Sequence, residues 1–229
     1  MIKFLISGAV LLTTITTTIT SAIAAPKKDE VEVRFLAERI PRNLGKVVLA
    51  IEEIRSDPFN LPMNNLSPPQ IPPARVFNIL AVDKNVSIAK VKLPENGNSF
   101  VVILLPSAKG AYVPLVMPFD NPKFKGGDIY FFNNANKPVL GLIGKSKLSL
   151  SPGKGTVVTP RGLENKRYYH VMLGVKEADG NKVIKSMKWP TSKTMRNYVF
   201  FYVDPRKNRI TYRAVDEFII PKKAPATGG

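Results

Sequence analysis

The sequence predicts an all-β protein, a β-sandwich of immunoglobulin-like or related type built from two packed halves. Short β-branched and aromatic segments follow one another, and clusters rich in proline, glycine and asparagine separate them at roughly 8–12 residue spacing. Of the 229 residues, 44% are hydrophobic, which is enough for a core. The chain contains no cysteine, so disulfides, thiol nucleophiles and cysteine metal sites are excluded.

The first 25 residues have the pattern of an export signal. Lys3 precedes the apolar run Phe4 to Leu12, and Ala22 and Ala24 supply the small residues that signal peptidase accepts. We expect cleavage after Ala24 or Ala25, which yields a periplasmic or extracellular mature protein. Threonines interrupt the apolar run too early for a span of ~20 residues. No transmembrane segment is therefore predicted in the mature chain.

Residues 26–120 form the predicted first half. Residues 31–35 alternate apolar and polar side chains, as a half-buried strand does. The apolar segment 47–54 fits either a strand or a helical stripe. Residues 57–73 contain six prolines, which exclude a helix and a central strand, so we predict an extended surface crossing. Further strands are predicted at 76–82, 86–93, 99–105 and 112–117.

Residues 121–220 form the predicted second half. The segment 169–176 has one wholly apolar face, which we expect to lie in the core. The segment 195–203 is apolar on both faces, so it should be a central strand covered by the other half or by a partner. Residues 221–229 are expected to form a flexible tail. The other strands predicted here are 129–133, 139–143, 147–150, 156–159, 182–189 and 209–215.

The positive charge is divided unequally between the halves. Residues 26–120 carry 12 Lys and Arg against 10 Asp and Glu, whereas residues 121–229 carry 21 against 7, a net charge of +14. This excess favours polyanions such as acidic polysaccharide, lipopolysaccharide or anionic lipid headgroups, and export argues against nucleic acid. A solvated basic surface without a partner is the alternative. The predicted anion-binding residues are Lys182, Lys185, Lys188, Arg196, Arg206, Lys207, Arg209 and Arg213.

The alternation of side chains along a strand limits this set. Lys182 and Lys188 are expected to share one face of their strand, with Lys185 on the other. Only part of the set should then project from one surface. The nearby aromatic residues could stack on sugar rings, although aromatic side chains on a doubly apolar strand usually fill a core; they are Trp189, Tyr198, Phe200 and Tyr202.

No catalytic, metal or cofactor site is predicted. The segment Gly144-Lys145-Ser146 resembles the end of a phosphate loop, but the required earlier glycine is missing and the segment lies between strands. His170 is the only histidine, too few for common metal centres, and is predicted to lie on a strand face bonded to a neighbour. Four carboxylates could serve a glycosidase as acid and base, although basic neighbours would lower their pKa: Asp128, Asp204, Asp216 and Glu217.

Several segments of the second half carry a resemblance. They are Gly127–Asn134 (GDIYFFNN), Lys137–Gly141 (KPVLG), Leu148–Gly153 (LSLSPG), Lys188–Pro190 (KWP) and Arg196–Phe201 (RNYVFF). Together they are similar to a group of exported bacterial β-rich proteins without assigned function. The resemblance covers mainly residues 120–218 and implies a sandwich-like fold and a location in the bacterial envelope. It carries over no catalytic residue.

The sequence thus favours an exported, non-enzymatic protein that binds or scaffolds in the bacterial envelope without a cofactor. Its expected partners are acidic polysaccharide, an anionic membrane surface or another envelope protein. Two alternatives stay open. One is a carbohydrate-active hydrolase that uses paired carboxylates. The other is an accessory subunit of a secretion or pilus-like assembly, whose exposed strand edge pairs with a partner.

Overall fold

The prediction of an all-β sandwich is confirmed. The computed structural model describes residues 30–107, 110–204 and 206–219, and these residues form fifteen strands and no helix. The predicted signal peptide and C-terminal tail lie outside the described residues. The first half contains β1 (Glu32–Ala37), β2 (Val47–Ile51), β3 (Ile54–Arg55), β4 (Val76–Ala81), β5 (Val86–Lys92), β6 (Ser99–Pro106) and β7 (Tyr112–Pro118).

The second half contains the remaining eight strands, and the segment between β7 and β8 links the halves. Every strand predicted there is present, although β15 runs on to Phe218. No helix in the described part of the chain could span a membrane. The strands are β8 (Ile129–Asn133), β9 (Val139–Ile143), β10 (Ser146–Leu150), β11 (Gly155–Val158), β12 (Tyr168–Glu177), β13 (Gly180–Pro190), β14 (Met195–Asp204) and β15 (Arg209–Phe218).

The two halves repeat one topology. The first pairs a sheet β3-β2-β4-β5 with a sheet β1-β6-β7, and the second pairs β10-β9-β12-β13 with β11-β8-β14-β15. In each half the first strand lies parallel to the last but one, β1 with β6 and β8 with β14, and all other pairs are antiparallel. A bulge leaves Ile88 of β5 and Ile184 of β13 without a register partner at equivalent places. The chain therefore contains an internal structural repeat, with one copy in each half.

The proline-rich segment occupies the place that β11 holds in the second half. The amide of Val33 donates to the carbonyl of Gln70 at 2.8 Å, and the amide of Gln70 donates back at 2.9 Å. The two prolines that precede Gln70 lack an amide hydrogen. The hydroxyl of Ser67 instead accepts the amide of Phe35 at 2.9 Å. The predicted surface crossing thus also protects the outer edge of β1.

The described residues form three hydrophobic cores. One fills the first sandwich around Phe35 and Phe77, and another fills the second around Val171 and Phe201. The third lies between the sheets β1-β6-β7 and β11-β8-β14-β15, and it includes Leu36, Ile103, Phe124, Tyr198 and Phe200. The predicted double covering of β14 is confirmed, and the first half supplies the second cover.

Candidate functional site: an open basic seam

The two halves differ at the side where the edge strands of the two sheets face each other. In the first half β5 lies beside β7, whereas no comparable contact joins the equivalent strands β13 and β15. We call the resulting opening between β13 and β15 the seam. When the two bulges are aligned, Lys185 takes the place of Ala89 and Met187 the place of Val91. Ala89 and Val91 are buried, whereas Lys185 is exposed and Met187 only half-buried.

Two cavities lie along the seam. The hydroxyl of Tyr212 on β15 lies 3.1 Å from the sulfur of Met187 on β13 and separates them. The large seam cavity, about 450 Å³, has a polar rim and an apolar floor of Val175, Ile184, Val203 and Ile210. The small seam cavity, about 270 Å³, is lined by Tyr169, Trp189, Pro190, Met195, Asn197, Ala214 and Asp216.

The turn between β14 and β15 holds Arg209 at the mouth of the large seam cavity. A carboxylate oxygen of Asp204 accepts the amide of Arg206 at 2.9 Å, and the Asp204 carbonyl accepts the amide of Asn208 at 2.8 Å. Asn208 has a φ of 48°, a left-handed conformation that asparagine tolerates better than most residues. This compact turn directs the chain into β15, which begins at Arg209.

The hairpin between β12 and β13 places Lys182 on the opposite rim. Glu177 lies opposite Gly180 at its end, and Lys182 lies opposite Val175. Lys137 forms an ion pair with Glu177, so their charges offset each other. Lys182 and Arg209 have no carboxylate partner among the described residues. The large seam cavity therefore presents two unpaired positive charges above an apolar floor.

The predicted anion-binding residues are only partly brought together. Lys182 and Arg209 share the large seam cavity, and Arg206 and Lys207 are exposed in the adjoining turn. Lys185 and Lys188 are exposed on β13. The prediction that Lys182 and Lys188 share a face is wrong, because the bulge at Ile184 inserts a residue between them. Lys182 lies opposite buried Val175, whereas Lys188 lies opposite exposed His170.

Arg196 lies away from this surface, which corrects its place in the predicted set. It is buried, with two of its nitrogens 2.6 and 3.0 Å from the carboxylate of Glu217. Its guanidinium carbon lies 5.0 and 4.7 Å from the ring centroids of Phe119 and Phe124. The hydroxyl of Tyr198 donates to Glu217 at 2.8 Å, and burial raises the pKa of Tyr198. We call these five residues the junction cluster; it stabilises the contact between the halves.

Arg213 also faces the first half. On β15 it lies opposite Phe200 of β14, and its positive charge acts on the buried Glu38 of the first half. One carboxylate oxygen of Glu38 accepts the side-chain amide of Asn134 at 2.8 Å. The other oxygen, like one guanidinium nitrogen of Arg213, is buried and makes no hydrogen bond. Burial raises the pKa of Glu38.

Each of the four carboxylates considered for a glycosidase has its own hydrogen-bond partner, although Asp216 and Glu217 both line a cavity at the junction of the halves. The two carboxylate oxygens of Asp128 accept hydrogen bonds from the amide of Lys125 and from the hydroxyl of Thr159. Asp204 caps its turn, Asp216 accepts the side-chain amide of Asn197, and Glu217 belongs to the junction cluster. No three acidic or histidine residues of the described ranges lie close enough to hold a metal ion. His170 lies on an exposed strand face as predicted. The predicted bond to a neighbour is wrong, because its ring makes no hydrogen bond within the described residues.

A larger cavity, about 790 Å³, lies at the junction of the halves rather than in the seam. Its charged lining is balanced: Arg34, Lys125 and Arg196 face Asp120, Asp216 and Glu217. Arg34 stacks on Phe119 with its guanidinium carbon 4.1 Å from the ring centroid. This junction groove therefore does not share the charge excess of the second half.

The seam and the internal repeat are not apparent in the sequence. A signal for the seam is nevertheless present: the segment 182–189 carries three lysines and no continuous apolar face, although its hairpin partner has one. A strand whose partner faces a core, but which lacks an apolar face itself, is typical of an uncovered edge. No protein-family model matches the chain, and no curated protein matches it.

Proposed function

We propose that this protein is an exported, non-enzymatic binding protein of the bacterial envelope, and that its second half binds an anionic partner in the seam. The seam is the observation that carries the proposal. Lys182 and Arg209 hold unpaired charges there above an apolar floor, whereas the first half is closed at the equivalent side. The second half also holds nearly all of the excess positive charge, which attracts anions over long range.

The surroundings of the acidic residues support a role in binding rather than in hydrolysis. A general acid and base must both reach the reacting bond with free carboxyl oxygens. Asp128, Asp204, Asp216 and Glu217 are each bonded to a neighbouring group. Glu217, which lines the junction groove together with Asp216, is paired with Arg196. Export is supported by the signal pattern of residues 1–25 and by the resemblance in residues 120–218.

Binding to an acidic polysaccharide tests the proposal. We would measure the binding of alginate, and in parallel of phosphatidylglycerol vesicles, to the mature chain at low and at physiological salt. Because salt screens exposed charges beyond ~8–10 Å, binding should fall several-fold. The double variant Lys182→Gln, Arg209→Gln should weaken it further. Its matched control is Lys90→Gln, Lys92→Gln, since both lysines are exposed on β5, the equivalent strand of the first half.

Two results would contradict the proposal. One is binding that does not respond to salt. The other is an equal loss of binding in the seam variant and in the β5 control, which would make the charge a general property of the surface. The variant Asp128→Asn should retain full binding, and a phenotype that it abolished would favour the hydrolase alternative.

A further inference from the structure

β13 is an edge strand, and half of its backbone groups point away from its sheet. The direction follows from its neighbour β12. There the amide of Lys176 donates to the carbonyl of Pro138, and the carbonyl of His170 accepts the amide of Gly144. Even-numbered residues of β12 thus direct their backbone groups toward β9, and odd-numbered residues direct theirs toward β13.

The register then identifies the free groups. Met187 lies opposite Val171, an odd-numbered residue, so its backbone groups pair with β12. Its neighbours Ser186 and Lys188 direct their N–H and C=O groups to the free edge, where no described strand pairs with them. Such a row of unpaired groups is a template for one more strand.

The inner face of this edge lacks an apolar cover. Ile184, Met187 and Trp189 pack against the core of the second half, yet all three are only half-buried. In the first half, the equivalents of the latter two, Val91 and Leu93, are buried. Added cover over the seam would remove this apolar surface from water, which is favourable in proportion to the area buried.

The positive charge along the edge of β13 determines which kind of segment can bind there. Residues 180–190 include Lys182, Lys185 and Lys188 and no acidic residue, and none of the three lysines has a carboxylate partner in the described part of the chain. Arg209 adds a further charge across the seam. Like charges would oppose the pairing of β13 with β13 of a second copy. An acidic segment would instead be attracted.

We propose that the seam takes an extended, acidic segment of a protein partner, which adds to the free edge of β13 as a fifth strand of its sheet. The proposal rests on the proposed function, since it names the anionic partner of that same site. Backbone hydrogen bonds to Ser186 and Lys188 supply affinity. On the inner face, apolar side chains of the segment cover Met187 and Trp189, and acidic side chains meet Lys182, Lys185 and Arg209. On the outer face, acidic side chains meet Lys188.

A polypeptide strand satisfies more of this site than a polysaccharide does. An acidic polysaccharide supplies charge, but it cannot complete a β ladder, and its hydroxyl-rich surface gains little from an aliphatic floor. A strand that is acidic beside Lys182 and Lys185, and that alternates apolar and acidic residues beside Met187 and Trp189, meets all three features, namely the free backbone groups, the apolar face and the positive rim. The polysaccharide is therefore the alternative outcome of the test.

The probe is a ten-residue synthetic peptide, added to the mature full-length chain. Glutamate fills one half of the peptide, to lie beside Lys182 and Lys185, and valine alternates with glutamate in the other half, to lie beside Met187 and Trp189. Both orders of the two halves are tested. Trp189 is the single tryptophan of the protein and lines the small seam cavity, so its fluorescence reports cover of the seam. We expect a blue shift on peptide binding. We also expect slower hydrogen exchange at the amides of Ser186 and Lys188, because the peptide would bond them.

The variant Ser186→Pro tests the edge itself. It removes one outward amide and places a ring on the free edge, where proline is tolerated in an edge strand, and it leaves every charge in place. We expect at least a tenfold loss of peptide affinity. Ser186→Ala is the matched control and should bind as the unaltered protein does. A second experiment leaves the protein unchanged and uses the same peptide with N-methylated amides along one edge. This peptide should also bind with at least tenfold lower affinity.

The outcomes separate this proposal from the proposed function. If alginate binds in a salt-dependent way that requires Lys182 and Arg209, but the peptide fails to bind or binds equally to Ser186→Pro, the strand proposal is wrong and the proposed function stands. If neither alginate nor peptide responds to the loss of Lys182 and Arg209, both are wrong. Loss of peptide binding in Ser186→Pro and with the N-methylated peptide, while alginate binding is retained, supports the strand.

Discussion

The two halves have the same strand order and the same bulge, yet only one of them leaves its side open. In the first half β5 lies beside β7 and its inner residues are buried. In the second half a lysine stands where the first has a buried alanine, and the seam opens between β13 and β15. The comparison teaches that the repeat explains the fold, whereas the departures from the repeat indicate where a partner binds.

The contact between the halves offers the largest expected effect on stability. Arg196→Ala should cost about 3–5 kcal/mol of unfolding free energy, because it leaves Glu217 buried without its cation. Arg34→Ala, which removes the other cation stacked on Phe119, should cost about 1 kcal/mol or less, since its ion pair is more exposed. Urea denaturation measures both values. Equal losses would mean that the burial of the junction cluster does not matter.

The closed and open sides can be compared through two equivalent residues. Leu93→Ala should cost about 2–5 kcal/mol, because Leu93 is buried at the closed side. Trp189→Ala should cost only about 1 kcal/mol, an ordinary value for a point mutation, although it deletes a larger side chain. Thermal or urea unfolding of both variants tests the ranking. A greater loss at Trp189 would show that the seam is closed in solution.

The edges of β1 and β8 differ in how they are protected. Ser67→Ala should cost about 1–3 kcal/mol, because the buried amide of Phe35 loses its acceptor. Thr156→Ala on β11 is the matched change in the second half, where the strand pairs through its backbone, and it should stay within about 0.5 kcal/mol. Comparable losses measured by urea unfolding would contradict this account of the proline-rich segment.

The smallest expected effect is a dependence on pH at Glu38. Burial raises its pKa in the folded state above the ordinary value, so folding favours its protonated form. The stabilisation that comes from protonated Glu38 is complete at pH values below its pKa in the unfolded chain. It is lost as the pH rises through its pKa in the folded protein. Glu38→Gln should therefore be more stable than the unaltered protein at neutral pH, and the difference should vanish below about pH 4.

The exposed Glu95→Gln serves as the control for this pH series. Glu95 lies in a turn away from the contact between the halves, so its replacement should leave unfolding unchanged from pH 4 to neutral pH, to within about 0.5 kcal/mol. Denaturation of both variants across this range gives the comparison. A Glu38→Gln variant that is less stable at neutral pH would show that the attraction of Arg39 and Arg213 outweighs the cost of burial.

Most of the fold could be predicted from the sequence, because turn residues and alternating side chains act locally. The strands 139–143 and 169–176 needed only their own residues to be recognised. The segment 57–73 was harder, since its prolines exclude regular pairing, and only the hydroxyl of Ser67 shows how it lines β1. The internal repeat is not apparent in the sequence, because equivalent positions such as Ala89 and Lys185 carry residues of different character.

The candidate site was predicted in part. Lys182 and Arg209 belong to the predicted set and share the large seam cavity. Arg196 also belongs to the predicted set, but it does not lie on that surface. The sequence alone does not show that Glu217 lies opposite Arg196, so it cannot distinguish a buried ion pair from an exposed charge. The bulge at Ile184 likewise changes the faces of Lys182 and Lys188, and strand periodicity alone does not predict a bulge.

The parallel pairing of the first strand of each half with its last but one has a consequence for how the chain folds. Residue 32 pairs with residue 99, and residue 129 with residue 197, so neither sandwich can be completed until most of its half is available. Such distant contacts slow folding. Until the second half folds, the first also exposes Leu36, Val101 and Ile103, so we expect it to aggregate when produced alone.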